Sequence, residues 1–157
     1  MNFLEQLVSE WYEYEGYFVR TNVKARKLAH GGWGMELDVL AYHPRTKVLL
    51  HVEPTSDASA WHKRKERFLT KKFILTHEEY EEILGAKVRS VRKIAIVGFS
   101  RYTKVDLNWG EDIEVVLIPK FIEQVADKLR IQSPVKQAVP EGYPILRAMQ
   151  MCLAYGT

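Results

Sequence analysis

Two β-rich runs, each carrying a carboxylate, constrain what this chain can fold into more than any other feature. The first is Gly34–Tyr42 and the second Lys47–Thr55, with His43–Lys47 as the polar turn between them. Successive side chains of a strand point to opposite faces. In the first run Leu37, Val39 and Ala41 therefore share one face, and Glu36, Asp38, Leu40 and Tyr42 the other. In the second, Val48, Leu50 and Val52 share a face, while Leu49, His51, Glu53 and Thr55 point the opposite way. The turn is short enough for an antiparallel hairpin, and paired that way Asp38 and Glu53 converge. A buried acid is costly unless a cation or hydrogen bonds compensate it. Two acids in adjacent strands thus predict a shared cation.

The flanking chain reads as alternating helices and strands. Phe3, Leu4, Leu7, Val8, Trp11 and Tyr12 recur at helical spacing over residues 2–14, and Gly16 ends that helix. Residues 16–24 alternate as a first strand, and the basic, glycine-rich stretch from Lys24 to Gly34 reads as a flexible connection. In that stretch Lys24, Arg26, Lys27 and Trp33 are candidates to meet a phosphate backbone or a base. Ser56 or Asp57 is a good N-cap for a strongly basic helix over residues 58–73, where Lys63 and Arg64 are further phosphate candidates. Thr76 and Glu79 form a capping box for a short acidic helix closed by Gly85. Residues 93–99 and 113–118 read as buried strands, residues 121–131 as a helix, and residues 144–155 as a last helix.

This arrangement resembles the PD-(D/E)XK nucleases. An acid in the second strand, a hairpin, then Glu-x-Lys at the end of the third strand is that family's signature, carried here by Leu37-Asp38 and Glu53-Pro54-Thr55. The chain departs from it by lacking the proline before Asp38 and by having Thr55 where the family has lysine. The resemblance covers roughly residues 1–100. It implies an α/β fold with a restriction-endonuclease-like αβββαβ core, a mixed central sheet flanked by helices. A single nuclease-like domain would span residues 1–157, its core about 1–118 and its C-terminal helices 119–157.

The function implied is hydrolysis of DNA phosphodiesters by a metal-dependent endonuclease, in restriction, repair or defence against foreign DNA. Asp38 and Glu53 would hold Mg²⁺, with Mn²⁺ able to substitute, and the carbonyl of residue 54 could also reach the ion. Enzymes resembling archaeal Holliday-junction resolvases add a glutamate from the first helix. Glu5 matches that position, with Glu10 and Glu13 as alternatives. The displaced lysine would come from the basic helix, as Lys65 first or Lys63. His51 is either a ligand, a hydrogen-bonding support for Glu53, or an ordinary strand histidine. The rival reading, motivated by Thr55, is a nuclease-fold module that binds DNA or protein and does not cut. An RNA or structured-junction substrate is a third.

Bulk properties set the remaining bounds. A chain of 157 residues, 46% hydrophobic and 27% charged, suits one globular domain. Its 23 basic and 20 acidic residues leave a net charge of only +3, so any nucleic-acid surface has to be local. The single cysteine, Cys152, excludes an internal disulfide and lies in an apolar run that suggests a buried thiol. Without a secretory signal or an apolar run of about 18 residues, a cytoplasmic protein that does not enter the membrane is expected. There is no phosphate-cradling Gly-Lys-Ser/Thr loop, His-Glu-x-x-His or Gly-x-Ser-x-Gly motif. Leu146, Met149, Met151, Leu153 and Tyr155 of the last helix are core residues or a homodimer interface.

Overall fold

The computed structural model describes residues 1–98 and 106–156. Its elements are α1 (Phe3–Tyr14), β1 (Phe18–Lys27), β2 (Trp33–Tyr42), β3 (Val48–Thr55), α2 (Trp61–Arg67), α3 (His77–Leu84), β4 (Ser90–Val97), β5 (Ile113–Leu117), α4 (Ile118–Arg130) and α5 (Pro144–Tyr155). A π-helical turn, Phe68–Lys72, continues α2. The strands form one mixed sheet in the order β1-β2-β3-β4-β5. β1, β2 and β3 pair as an antiparallel meander, whereas β4 and β5 join β3 in parallel. The chain is thus α/β, with helices on both faces of an open sheet.

Burial explains this layering. On one face Val39, Ala41, Leu50, Val52, Ile94 and Ile96 pack under Leu7, Val8 and Trp11 of α1, Phe121, Val125 and Leu129 of α4, and Leu146 of α5. On the other face Leu40 and Leu49 meet Tyr80 of α3, while Ala95 and Val97 meet Phe68, Phe73 and Trp109. Local signals agree with the sequence at the helix ends. Thr76 and Glu79 form the reciprocal capping box, and Gly85 closes α3 at φ +72°. A cap of this kind is worth about 1 kcal/mol. Buried Glu10 belongs to the core, accepting from the N–H groups of Ile145 (2.9 Å) and Leu146 (3.0 Å) at the start of α5. It is thereby committed to helix packing, and Glu13 is exposed.

Several expectations are corrected. Lys24, Arg26 and Lys27 belong to β1, and Trp33 and Gly34 to β2, so the expected flexible connection shrinks to residues 28–32. Leu37 packs with Val23, Ala25 and Leu40, whereas Val39 and Ala41 pack beneath α1, so simple alternation fails at Asp38. Opposite this point Asn22 has φ +52°, a left-handed residue that bends the ribbon. The basic helix begins at Trp61 with Ala60 as an N-cap that makes no side-chain bond. Asp57 instead accepts from the Ser59 N–H at 2.8 Å and from Arg67 at 2.5 Å. α4 begins at Ile118, because Pro119 fits the first helical turn, where no N–H is needed.

Cys152 is exposed rather than buried, since α5 turns Leu146 inward and Met151, Cys152 and Tyr155 outward. Met149 and Leu153 pack against the core. Phe99, expected at the end of β4, lies outside the described residues. Among those residues no helix is long and apolar enough to cross a membrane.

Candidate active site

The hairpin register brings the two acids together. β2 and β3 pair from Tyr42↔Leu49 to Val39↔Val52 and then part, so the next opposed residues are Asp38 and Glu53. Pro54 follows at once, and with no N–H to offer it is tolerated in a central strand because the β2 ladder has ended there. The parting strands open a cleft of about 300 Å³. Asn2 and Glu5 of the α1 end line it from one side, and Arg67, Phe68 and Lys72 from the other.

Glu53 is 1% exposed and held from three directions. Its Oε1 accepts from the Asp38 N–H at 3.1 Å and lies 2.7 Å from His51 Nε2. The Lys72 ammonium lies 2.7 Å from Oε2 and 3.7 Å from Asp38 Oδ1. Lys72 is therefore the shared cation that the paired acids required. Burial pulls its pKa down, but the Glu53 and Asp38 carboxylates outweigh burial and hold the ammonium above its ordinary value. Burial and the adjacent Glu53 charge push the Asp38 carboxyl up to about 7.

His51 and Tyr80 form a supporting layer beneath Glu53. Burial, reinforced by the nearby Lys72 charge, lowers the His51 pKa to about 3, so the imidazole is neutral. A carboxylate only accepts, so Nε2 carries the proton toward Glu53 and Nδ1 accepts from the Tyr80 hydroxyl at 2.6 Å. Burial raises the Tyr80 pKa, which keeps that hydroxyl a donor. Removing it strands a buried acceptor, at a cost of about 1–3 kcal/mol. Tyr80→Phe is therefore expected to lower stability by about 2 kcal/mol in urea unfolding. A ¹⁵N NMR spectrum should show His51 keeping its Nε2–H tautomer, which Glu53 holds, while the unprotonated Nδ1 resonance shifts on losing its donor; an unshifted Nδ1 would sink this assignment.

The remaining expected residues are distributed unevenly. Glu5 reaches the cleft rim, and its carboxylate also caps α1 by accepting from the Asn2 N–H at 3.2 Å. Lys65, expected to supply the ammonium, instead donates to Asp106 Oδ2 at 3.2 Å and to the Asn108 carbonyl at 2.9 Å. The π turn explains the exchange. It inserts one residue, setting every later side chain back by about 100°. Lys72 thereby leaves the stripe it would share with Lys65. Lys63 is exposed, but Arg64 is 4% exposed, donates to the Gly98 carbonyl at 3.2 Å and lies 4.9 Å over the Trp61 ring. Arg64 is consumed by packing, which corrects its expected place on a phosphate-binding surface. Lys24 pairs with Glu36, and Arg26 with Glu79 at 3.1 Å.

Among the described residues no three His, Cys, Asp or Glu side chains gather as a metal-ligand group, so Glu5 does not join Asp38 and Glu53 as a third ligand here. Mg²⁺ needs only one or two carboxylates, because it keeps most of its waters. Glu53 Oε2 is buried and, although Lys72 is within ion-pair reach, no described residue meets it in hydrogen-bonding geometry. That oxygen, already paired with Lys72, and the Asp38 carboxylate beside it are hard donors of the kind Mg²⁺ takes. Sequence reasoning missed Lys72, Arg67 and Tyr80 as contributors. Lys72 was visible only as one of six basic residues in the 63–72 stretch. No protein-family model matches the chain, and no curated protein matches it.

Proposed function

We propose that this chain is a metal-dependent endonuclease of the PD-(D/E)XK kind, acting on DNA, with Lys72 in the role of the family's motif lysine. One observation carries the reading: the Lys72 ammonium stands between Asp38 and Glu53 in an open cleft, although Thr55 occupies the usual lysine position. The helix, three-strand meander and parallel β4 support a restriction-endonuclease-like core by their order.

Asp38 and Glu53 would hold Mg²⁺ or Mn²⁺. Bound there, the ion would supply Lewis acidity and lower the pKa of a bound water. The protein's own part is positional. His51 and the Asp38 N–H occupy Glu53 Oε1, so Glu53 presents Oε2 toward the cleft. The Lys72 ammonium is within reach of charge growing on a phosphoryl oxygen, where a preorganised cation favours the transition state. Arg67, fixed by Asp57, lines the wall where a neighbouring phosphate would pass.

The test is cleavage of supercoiled, linear, single-stranded and branched DNA with Mg²⁺ or Mn²⁺, beside EDTA controls. Asp38→Ala and Glu53→Ala are each expected to lower cleavage by at least about 100-fold, with circular dichroism unchanged. Unchanged cleavage by both variants defeats the reading. A folded wild-type protein that binds DNA and cuts none of these substrates would favour the non-cutting module, which Thr55 in the usual lysine position motivates.

A further inference from the structure

The β1–β2 ribbon overruns the cleft. β3 stops pairing with β2 at Val39, but β1 and β2 stay paired out to Lys27↔Trp33. The end is shaped rather than loose. The Leu28 N–H donates to the Gly32 carbonyl at 3.0 Å, and Gly31 and Gly32 supply φ of +92° and +79°. Arg26 ties the ribbon to α3 through Glu79 and to the Ile74 carbonyl at 3.1 Å. Residues 26–34 are all exposed, and residues 16–35 contain Arg20, Lys24, Arg26 and Lys27 but no acid.

Between this ribbon and α3 runs a groove of about 490 Å³. Val23, Ala25 and Leu75 give it a buried apolar floor, Trp33 forms a wall, and Lys24 and Lys27 stand at its edge. Trp33 is 50% exposed, so its ring is open to a visitor. The groove and the cleft are lined by neighbouring parts of one segment, Lys72 lining the cleft and Leu75 the groove.

We propose that this groove binds an unpaired nucleotide of the substrate strand, with its base stacked on Trp33 and its phosphates at Lys24 and Lys27. The inference rests on the nucleic-acid reading above and narrows it to substrates with a single-stranded tail, flap or branch. An apolar floor with an aromatic wall suits a base, and edge ammoniums suit the flanking phosphates. The Lys24–Glu36 pair is solvent-exposed and therefore easily exchanged. Glu79 is already matched by Arg26, and Glu82 leaves an acceptor for an exocyclic amino group. Trp33 precedes Asp38 by five residues, about 17 Å of extended strand.

The test is fluorescence anisotropy in EDTA with a blunt duplex and the same duplex bearing a single-stranded tail that contains 2-aminopurine. Wild type is expected to prefer the tailed DNA by about tenfold and to quench the 2-aminopurine. Trp33→Ala should lose both effects while keeping blunt-duplex affinity, and Trp33→Phe should restore them. Equal affinity for the two DNAs, a preference that survives Trp33→Ala, no rescue by Phe, or displacement by polyglutamate at matched charge overturns the proposal. Metal-dependent cleavage separates the two readings. Cutting without tail preference leaves the nuclease and removes the groove, whereas Trp33-dependent tail binding without cutting leaves the groove and removes the nuclease.

Discussion

Lys72→Met is expected to lower the unfolding free energy by about 3 kcal/mol at pH 8, the cost of leaving a buried carboxylate without its cation. Glu53 is 1% exposed and has no alternative ammonium or guanidinium within ion-pair distance among the described residues, so the lost attraction is not replaced. The double variant Lys72→Met/Glu53→Gln should recover most of that loss, because the charge and its partner then leave together. Lys65→Met is the control. Its pair with Asp106 is exposed, and such pairs are worth about 0–1 kcal/mol. Cleavage should follow the same contrast, falling by about 100-fold or more in Lys72→Met and staying near wild type in Lys65→Met. Urea titrations and initial rates decide the matter. Equal behaviour of the two variants would remove Lys72 from its assigned role.

Asp38→Asn should do the opposite to stability while still abolishing activity. The Asp38 pKa stands at about 7 in the folded protein against 3.8 for the free group. Between those values the folded state holds a proton that the unfolded state has released, so this group's contribution is present below about pH 4 and lost as pH rises through 7. His51 works in the other direction. Its pKa is about 3 against 6.5, so acidification below 6.5 charges the unfolded state first and stability falls. In wild type the two slopes nearly cancel between about pH 4 and 6.5. Asparagine removes one of them. The variant's stability should therefore climb with pH across that window and exceed wild type by about 2–4 kcal/mol at pH 8. Thermal melts at pH 4, 6 and 8 test this, and a gain at pH 4 equal to that at pH 8 would show that Asp38 is not the titrating group.

Much of the architecture was legible from residue pattern. Thr76, Glu79, Gly16 and Gly85 act through local backbone chemistry, and each stands where that chemistry placed it. Asp38 and Glu53 were brought opposite each other by the hairpin register that a short turn sets, which is local in sequence. What escaped depends on long-range geometry. The Leu37 inversion follows from a bend at Asn22 on the neighbouring strand, which the period-two pattern of β2 does not encode. Arg64 carries the same charge as exposed Lys63 but is drawn beneath Gly98 and over Trp61. The stretch from Lys24 to Gly34 looked loose because glycine and lysine are weak strand residues, yet cross-strand pairing and Arg26 hold its two ends in β1 and β2. Lys72 was hidden for a different reason: its direction depends on how tightly the preceding turn is wound.

That winding makes the length of the chain, and not only its letters, a determinant of chemistry. Deleting Thr70, an exposed residue of the Phe68–Lys72 turn, would let the segment relax toward ordinary α-helical pitch. Every charged residue would remain, yet the ammonium would swing out of the cleft. A substitution scan across this segment would miss such a lesion, whereas a single-codon deletion would expose it. The place of a cation in a cleft can thus depend on one residue of chain length, a dependence that comparison by residue type alone does not register.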